Sequence, residues 1–209
     1  VLNLIFFFGI LTFAQSDNEF QIEIPDGYIT AFLADDKTEV ANVIGITAKE
    51  VDDYFKNNYL EFLSVSEDNT SQIKLSVLAD EFSSKIFSFN NLGDEQILKL
   101  ANSLFTGSYE QVSDGAKIVR NNSVKFLKYE ETLTDNGGEY TVTQYVTVYN
   151  GKTYRLSVFI GGQEKNLSDT VFESLTFNES NEVLSPLTKI FIIVGIVIFA
   201  VIIVLSIFR

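Results

Sequence analysis

Residues 190–208, IFIIVGIVIFAVIIVLSIF, contain no charged side chain, and only Gly195, Ala200 and Ser206 interrupt the large apolar ones. At a helical rise of about 1.5 Å per residue, the stretch spans close to the ~30 Å hydrocarbon core of a bilayer. Its β-branched residues would suit a strand, but strands of that length are rare. The run predicts one C-terminal transmembrane helix, and the rest of the chain reads as the domain it anchors. Gly195 and Ala200 are five apart, so no small-xxx-small face marks the helix for dimerisation. Residues 1–14 (VLNLIFFFGILTFA) form a second, shorter apolar run. They read as the hydrophobic region of a secretory signal peptide whose basic start is missing, with Thr12-Phe13-Ala14 as a loose cleavage pattern; the alternative is a second transmembrane helix, an uncleaved signal-anchor. Signal and anchor together predict a single-pass protein of the cell membrane. Its domain at residues 17–178 is then extracytoplasmic, and residues 179–189 form a juxtamembrane tether. The lipid bilayer is its first expected partner.

Charge narrows the second partner. The chain has 15 basic residues, two of which (Lys189 and Arg209) flank the apolar run, against 28 acidic ones. Such a domain repels phosphate backbones, so nucleic acid is not expected as a partner. Histidine and cysteine are both absent. Ser–His and Cys–His nucleophilic catalysis are therefore excluded, as are imidazole and thiolate metal sites and disulfides. Neither a Walker nor a Rossmann glycine pattern occurs.

Carboxylates remain. Six acidic pairs stand out: Asp35-Asp36, Asp52-Asp53, Glu67-Asp68, Asp80-Glu81, Asp94-Glu95 and Glu130-Glu131. Two acids flanking a cleft could hydrolyse a glycan, but neighbours along a strand point to opposite faces. Solvated charge is the simpler account of each pair. Asp135-Asn136-Gly137-Gly138-Glu139 places oxygen ligands on a turn, as calcium requires, yet lacks the EF-hand spacing. It reads first as a hairpin loop. Asn69, Asn121, Asn166 and Asn178 begin N-x-Ser/Thr sequons, which suit exposed loops.

Along the domain, Phe20–Ile24 alternates apolar and polar as a half-buried strand does. Pro25-Asp26-Gly27 is a turn, after which residues 28–33 read as the returning strand. Thr47-Ala48-Lys49-Glu50 is a capping box, with Val51, Tyr54 and Phe55 following at helical spacing. Residues 59–65 and 72–78 read as strands joined by a polar turn. Ile97, Leu98, Ala101, Leu104 and Phe105 make one face of a helix over residues 94–105. Strands follow at 124–133 and 140–149. Asn150-Gly151 is a type I′ hairpin signal leading into Lys152–Ile160. That turn sets Tyr145 opposite Leu156 and Val142 opposite Phe159, so both faces of the sheet carry apolar side chains and both should be covered. A short helix at Leu167–Ser174 precedes a last strand at 175–177.

Three of these segments carry a resemblance. Ile24-Pro25-Asp26-Gly27-Tyr28, Asn150-Gly151-Lys152-Thr153-Tyr154 and Ser174-Leu175-Thr176-Phe177 resemble the PsbP-like domains. Those occur as membrane-anchored proteins on bacterial surfaces, Gram-positive ones especially. The resemblance spans residues 20–177. It implies an α+β fold, with a central antiparallel sheet sandwiched by helices, and a binding or assembly subunit. It implies no catalytic motif and no cofactor, and the photosystem role of the founding family does not transfer with a fold. The expected protein is a non-enzymatic, membrane-anchored module for an envelope protein or small ligand. A carboxylate-dependent glycan hydrolase and an accessory subunit of a membrane complex are the alternatives. No catalytic, cofactor-binding or metal-ligating residue is singled out.

Overall fold

The computed structural model describes residues 11–14, 19–104, 115–135, 138–161 and 166–178, of which 11–14, 102–103, 133–135 and 138–139 are described as backbone alone. All lie in the first of the chain's two units, Val1–Asn178. The tether 179–189 and the apolar run 190–208 lie outside the described residues, as does most of the signal-like run 1–14. Among the described residues no helix is long and apolar enough to cross a membrane.

Local signals set several elements directly. Thr47 Oγ1 accepts from the Glu50 amide and the Glu50 carboxylate accepts from the Thr47 amide. That box starts helix α2 (Ala48–Asn58), which buries Val51 and Phe55. Asn150 and Gly151 both take positive φ, at 51° and 77°, and join β8 (Gly138–Tyr149) to β9 (Lys152–Ile160) in the expected register. Strands β4 (Leu60–Ser66) and β5 (Ser71–Leu78) pair around the polar turn. Helix 94–105 departs from expectation: it is two pieces, α4 (Asp94–Lys99) and α5 (Ala101–Leu104), separated at Leu100. The Leu100 amide donates to Ile97 O, tightening the turn, while Ile97, Ala101 and Leu104 stay on one buried face.

The remaining elements are β1 (Leu11–Ala14), β2 (Phe20–Ile24), β3 (Tyr28–Phe32), α1 (Thr38–Ile44), α3 (Glu81–Ile86), a 3-10 turn (Phe89–Asn91), β6 (Lys117–Asn121), β7 (Val124–Asp135), α6 (Leu167–Ser174) and β10 (Thr176–Phe177). Seven strands form one sheet in the order β3-β4-β5-β9-β8-β7-β6, every neighbouring pair antiparallel. Three form a small sheet, β1-β2-β10. The expectation that residues 28–33 return along Phe20–Ile24 is therefore corrected: β3 pairs with β4 instead. The cause lies in the turn. Gly27 (φ 82°) gives its carbonyl to the Glu67 amide of the β4–β5 turn, so Pro25-Asp26-Gly27 is a corner between sheets rather than a hairpin tip.

Both faces of the large sheet are covered, as the two-sided apolar pattern requires. Helices α1 to α5 lie on one face. The other face packs against β2 and α6, with Phe62, Leu75, Tyr145 and Leu156 meeting Ile22 and Phe172. The sandwich expected from helices alone thus has a small sheet in one of its layers. At the junction of β5 and β9, Gly161 donates to Thr70 O over 2.9 Å, and an added Cβ would lie 2.6 Å from that oxygen. Gly161→Ala is expected to cost about 1–3 kcal/mol by forcing the two strands apart. A urea-unfolding midpoint unchanged from that of the parent chain would contradict this.

Candidate functional site

The helix-covered face of the sheet is not apolar throughout. Helices α1 and α2 cover β3 and β4 around Ala31, Phe55, Leu63 and Val65. Helices α3 to α5 cover β7 and β8 around Ile97, Leu127, Val146 and Val148. Between the two groups, β5 and β9 turn polar side chains outward. Lys74 lies opposite Ser157, Ser76 opposite Arg155, and Gln144 of β8 opposite Ser157. The two-residue alternation of the same strands sends Ile73, Leu75, Leu156 and Val158 into the core behind. The result is a cleft of about 460 Å³ whose floor carries Ser76, Thr153 and Arg155 beside Leu78. Lys74, Gln144 and Ser157 line a smaller recess of about 170 Å³, which shares Asn58, Ser76 and Arg155 with the cleft.

The walls come from helix ends. The last turn of α2 supplies Tyr54, Asn57 and Asn58, followed by Tyr59. Asp80, Phe82 and Leu104 form the opposite wall. Arg155 donates from Nη2 to Leu104 O, whereas its buried Nε has no hydrogen-bond partner among the described residues. Burial pushes the guanidinium below its ordinary pKa. Lys74 Nζ donates to Tyr54 Oη over 2.8 Å and sits 4.0 Å from the centre of the Phe159 ring, a cation–π contact. Lys74 and Arg155 are diagonal neighbours on paired strands, about 7–8 Å apart at the backbone. Among the described residues neither forms an ion pair with a carboxylate.

The acidic pairs do not converge there. Asp35 and Asp36 close the loop after β3, where Asp36 accepts from the Thr38 hydroxyl and amide and is held below the usual carboxylate range. Asp68 is held low in the same way by the Ser66 and Thr70 hydroxyls in the β4–β5 turn. Asp52 and Asp53 are exposed on α2. Asp94 pairs with Lys125 at 3.0 Å and Glu130 stands 3.9 Å from Lys128. Asp80 is the one acid in the described lining, and its Oδ1 accepts from the Ser83 amide as the N-cap of α3. Hydrolysis by two carboxylates needs a second acid beside it. Among the described residues no three acids gather as a metal site. Asp135 pairs with Gly138 and Thr134 with Glu139 across the end of β7 and β8, while Asn136 and Gly137 of the 135–139 calcium candidate lie outside the described residues. Of the sequon asparagines, Asn121 is engaged: its Nδ2 donates to Phe172 O and Leu175 O, both over 2.5 Å.

Lys74 and Arg155 were not legible as a pair. The Asn150-Gly151 turn gives the β8–β9 register and hence Gln144 beside Ser157. Nothing local says that β5 pairs with β9.

No family model matches this sequence, and no curated protein matches it. Solved structures do. One is a protein of Bacteroides thetaiotaomicron VPI-5482, 15% identical over 83% of this chain, with a TM-score of 0.50. This chain spans half the length of that protein. At such identity the likeness is one of fold: a mixed α/β architecture with antiparallel sheets. A second is the cyanobacterial PsbP (CyanoP) from Synechocystis sp. PCC 6803, 11% identical over 85% of this chain and 97% of that one. Its TM-score of 0.37 is too low for any conclusion about this chain to rest on it.

Proposed function

We propose that the domain is a non-enzymatic binding module of PsbP-like type whose cleft takes an anionic group. The observation that carries this reading is the pair Lys74 and Arg155, two half-buried cations that form no ion pair with a carboxylate among the described residues, in the recess that shares Arg155 with the cleft, in a chain of net charge −13. Desolvated charge is costly unless something compensates it, and an anion lying across the two strands would do so. The PsbP-like assignment rests on the turn and core motifs at residues 24–28, 150–154 and 174–177. The apolar run 190–208 and the signal-like run 1–14 support a domain held outside the cytoplasm by a single membrane anchor.

The test is thermal unfolding of the full chain with acetate, succinate, citrate and phosphate, at matched ionic strength. An anion present at a hundred times its Kd stabilises by about 2.7 kcal/mol. For a domain of this size that raises the melting temperature by roughly 5–10 °C. Arg155→Gln should abolish the shift. If no anion raises the melting temperature above a chloride control, the cleft is not an anion site and the reading falls.

A further inference from the structure

We infer that the ligand of this cleft is an acidic saccharide, a sugar ring bearing a carboxylate, and that Tyr59 is the surface on which the ring lies. The inference deepens the anion-binding reading and rests on it.

Tyr59 is 58% exposed and lines the cleft. It ends α2 in the left-handed conformation (φ 54°, ψ 40°), where glycine is the residue without a steric penalty. The backbone needs that conformation whatever the side chain: the Tyr59 amide donates to Phe55 O and its carbonyl accepts from the Val77 amide over 2.9 Å. A large aromatic held there against strain and left in solvent does little for the core. Strained residues of this kind collect where ligands bind. A flat aromatic ring this exposed suits the apolar C–H face of a sugar.

The polar groups around it discriminate among anions. Asn57, Asn58, Ser76 and Thr153 supply both donors and acceptors. An inorganic anion uses donors only, and a simple aromatic carboxylate leaves most of these groups idle. Sugar hydroxyls use both kinds. Arg155 remains for the carboxylate, by its planar fork, with Lys74 in the recess that shares Arg155, while the one acid of the lining, Asp80, is turned to the Ser83 amide. The cleft volume falls within the range of small-molecule sites.

The experiment is calorimetric titration of the full chain with digalacturonic acid, the neutral disaccharide maltose, and benzoate. Digalacturonic acid should bind at least tenfold more tightly than the other two. Tyr59→Ala and Tyr59→Gly should each weaken it at least tenfold, while Tyr59→Gly keeps or raises the melting temperature because the strain is relieved. A merely structural tyrosine would give the reverse, a lower melting temperature with unchanged affinity. Equal binding of benzoate and digalacturonic acid, lost in Arg155→Gln, would overturn the saccharide and leave the anion cleft standing. Equal binding of maltose would overturn the role of the carboxylate. Binding of none of the three would overturn both readings.

Discussion

Phe172→Ala is expected to lower the unfolding free energy by about 3–5 kcal/mol, the usual cost of emptying a buried aromatic site. Phe172 is 6% exposed and, with Leu167 and Val171, brings α6 into the core cluster on the large sheet. Its ring stacks on Tyr145 with centroids 4.1 Å apart and meets Phe126 edge-on at 5.0 Å. Alanine would leave two aromatic rings facing a void between strand and helix, and neither ring can follow without leaving its own neighbours. At roughly 2–4 °C per kcal/mol, the melting temperature should fall by about 6–20 °C. A fall of less than ~3 °C would mean that α6 is held by something other than this stack.

Asp169→Ala should have the next largest effect, about 2–3 kcal/mol, by a different route. The Lys128 side chain is 9% exposed, and its ammonium lies 2.7 Å from Asp169 Oδ1, which also accepts from Tyr145 Oη over 2.7 Å. Removing the carboxylate leaves a buried cation beside a more distant Glu130 and takes the acceptor from the Tyr145 phenol, which keeps its hydrogen bond with Ser168. Asp169 itself is 59% exposed, so solvent reaches the pair, and the cost stays below that of a fully enclosed ion pair. The hydrogen bonds from Lys128 and Tyr145 hold the Asp169 carboxyl below its ordinary pKa. With the folded value depressed, the stabilisation is complete above the unfolded value of about 3.9 and is lost as pH falls through the folded one. The stability gap between the parent chain and Asp169→Asn should therefore be constant from pH 7 to 5 and close below pH 4. A gap that persists unchanged at pH 2 would show that the charge of Asp169 contributes nothing. Because Phe172 and Asp169 both act on Tyr145, their double variant should fall short of additivity.

What could be read from the sequence was local. The Thr47–Glu50 box and the Asn150-Gly151 turn each contain their whole cause within four residues, and both elements stand where expected. Helix α1 was missed because its start carries none of the usual N-cap side chains. Its N-cap residue, Lys37, makes no side-chain cap. Instead the ammonium of Lys37, 2% exposed, donates to the carbonyls of Phe32, Leu33 and Asp35 and rests over the Phe55 ring. A lysine in that role looks like any surface lysine in a sequence. Helix α3 was missed because its capping box ends in Ser83 rather than a glutamate or glutamine. The cleft was hidden for a third reason. Its floor joins two strands distant in the chain, and its walls are the ends of helices whose packing no periodicity encodes.

The two-residue strand β10 lies beside β2, with Phe177 across from Phe20 and the Asn178 amide donating to Glu19 O over 3.2 Å. Residues 19 and 178 are thus neighbours in space, and the path between them closes almost into a ring. A segment with this property can be set into a surface loop of a host protein without prising the two sides of that loop apart. The stretch 19–178 is in that sense portable: grafted by its adjoining ends, it would carry the cleft floor of β5 and β9 with it, since both strands lie inside the ring.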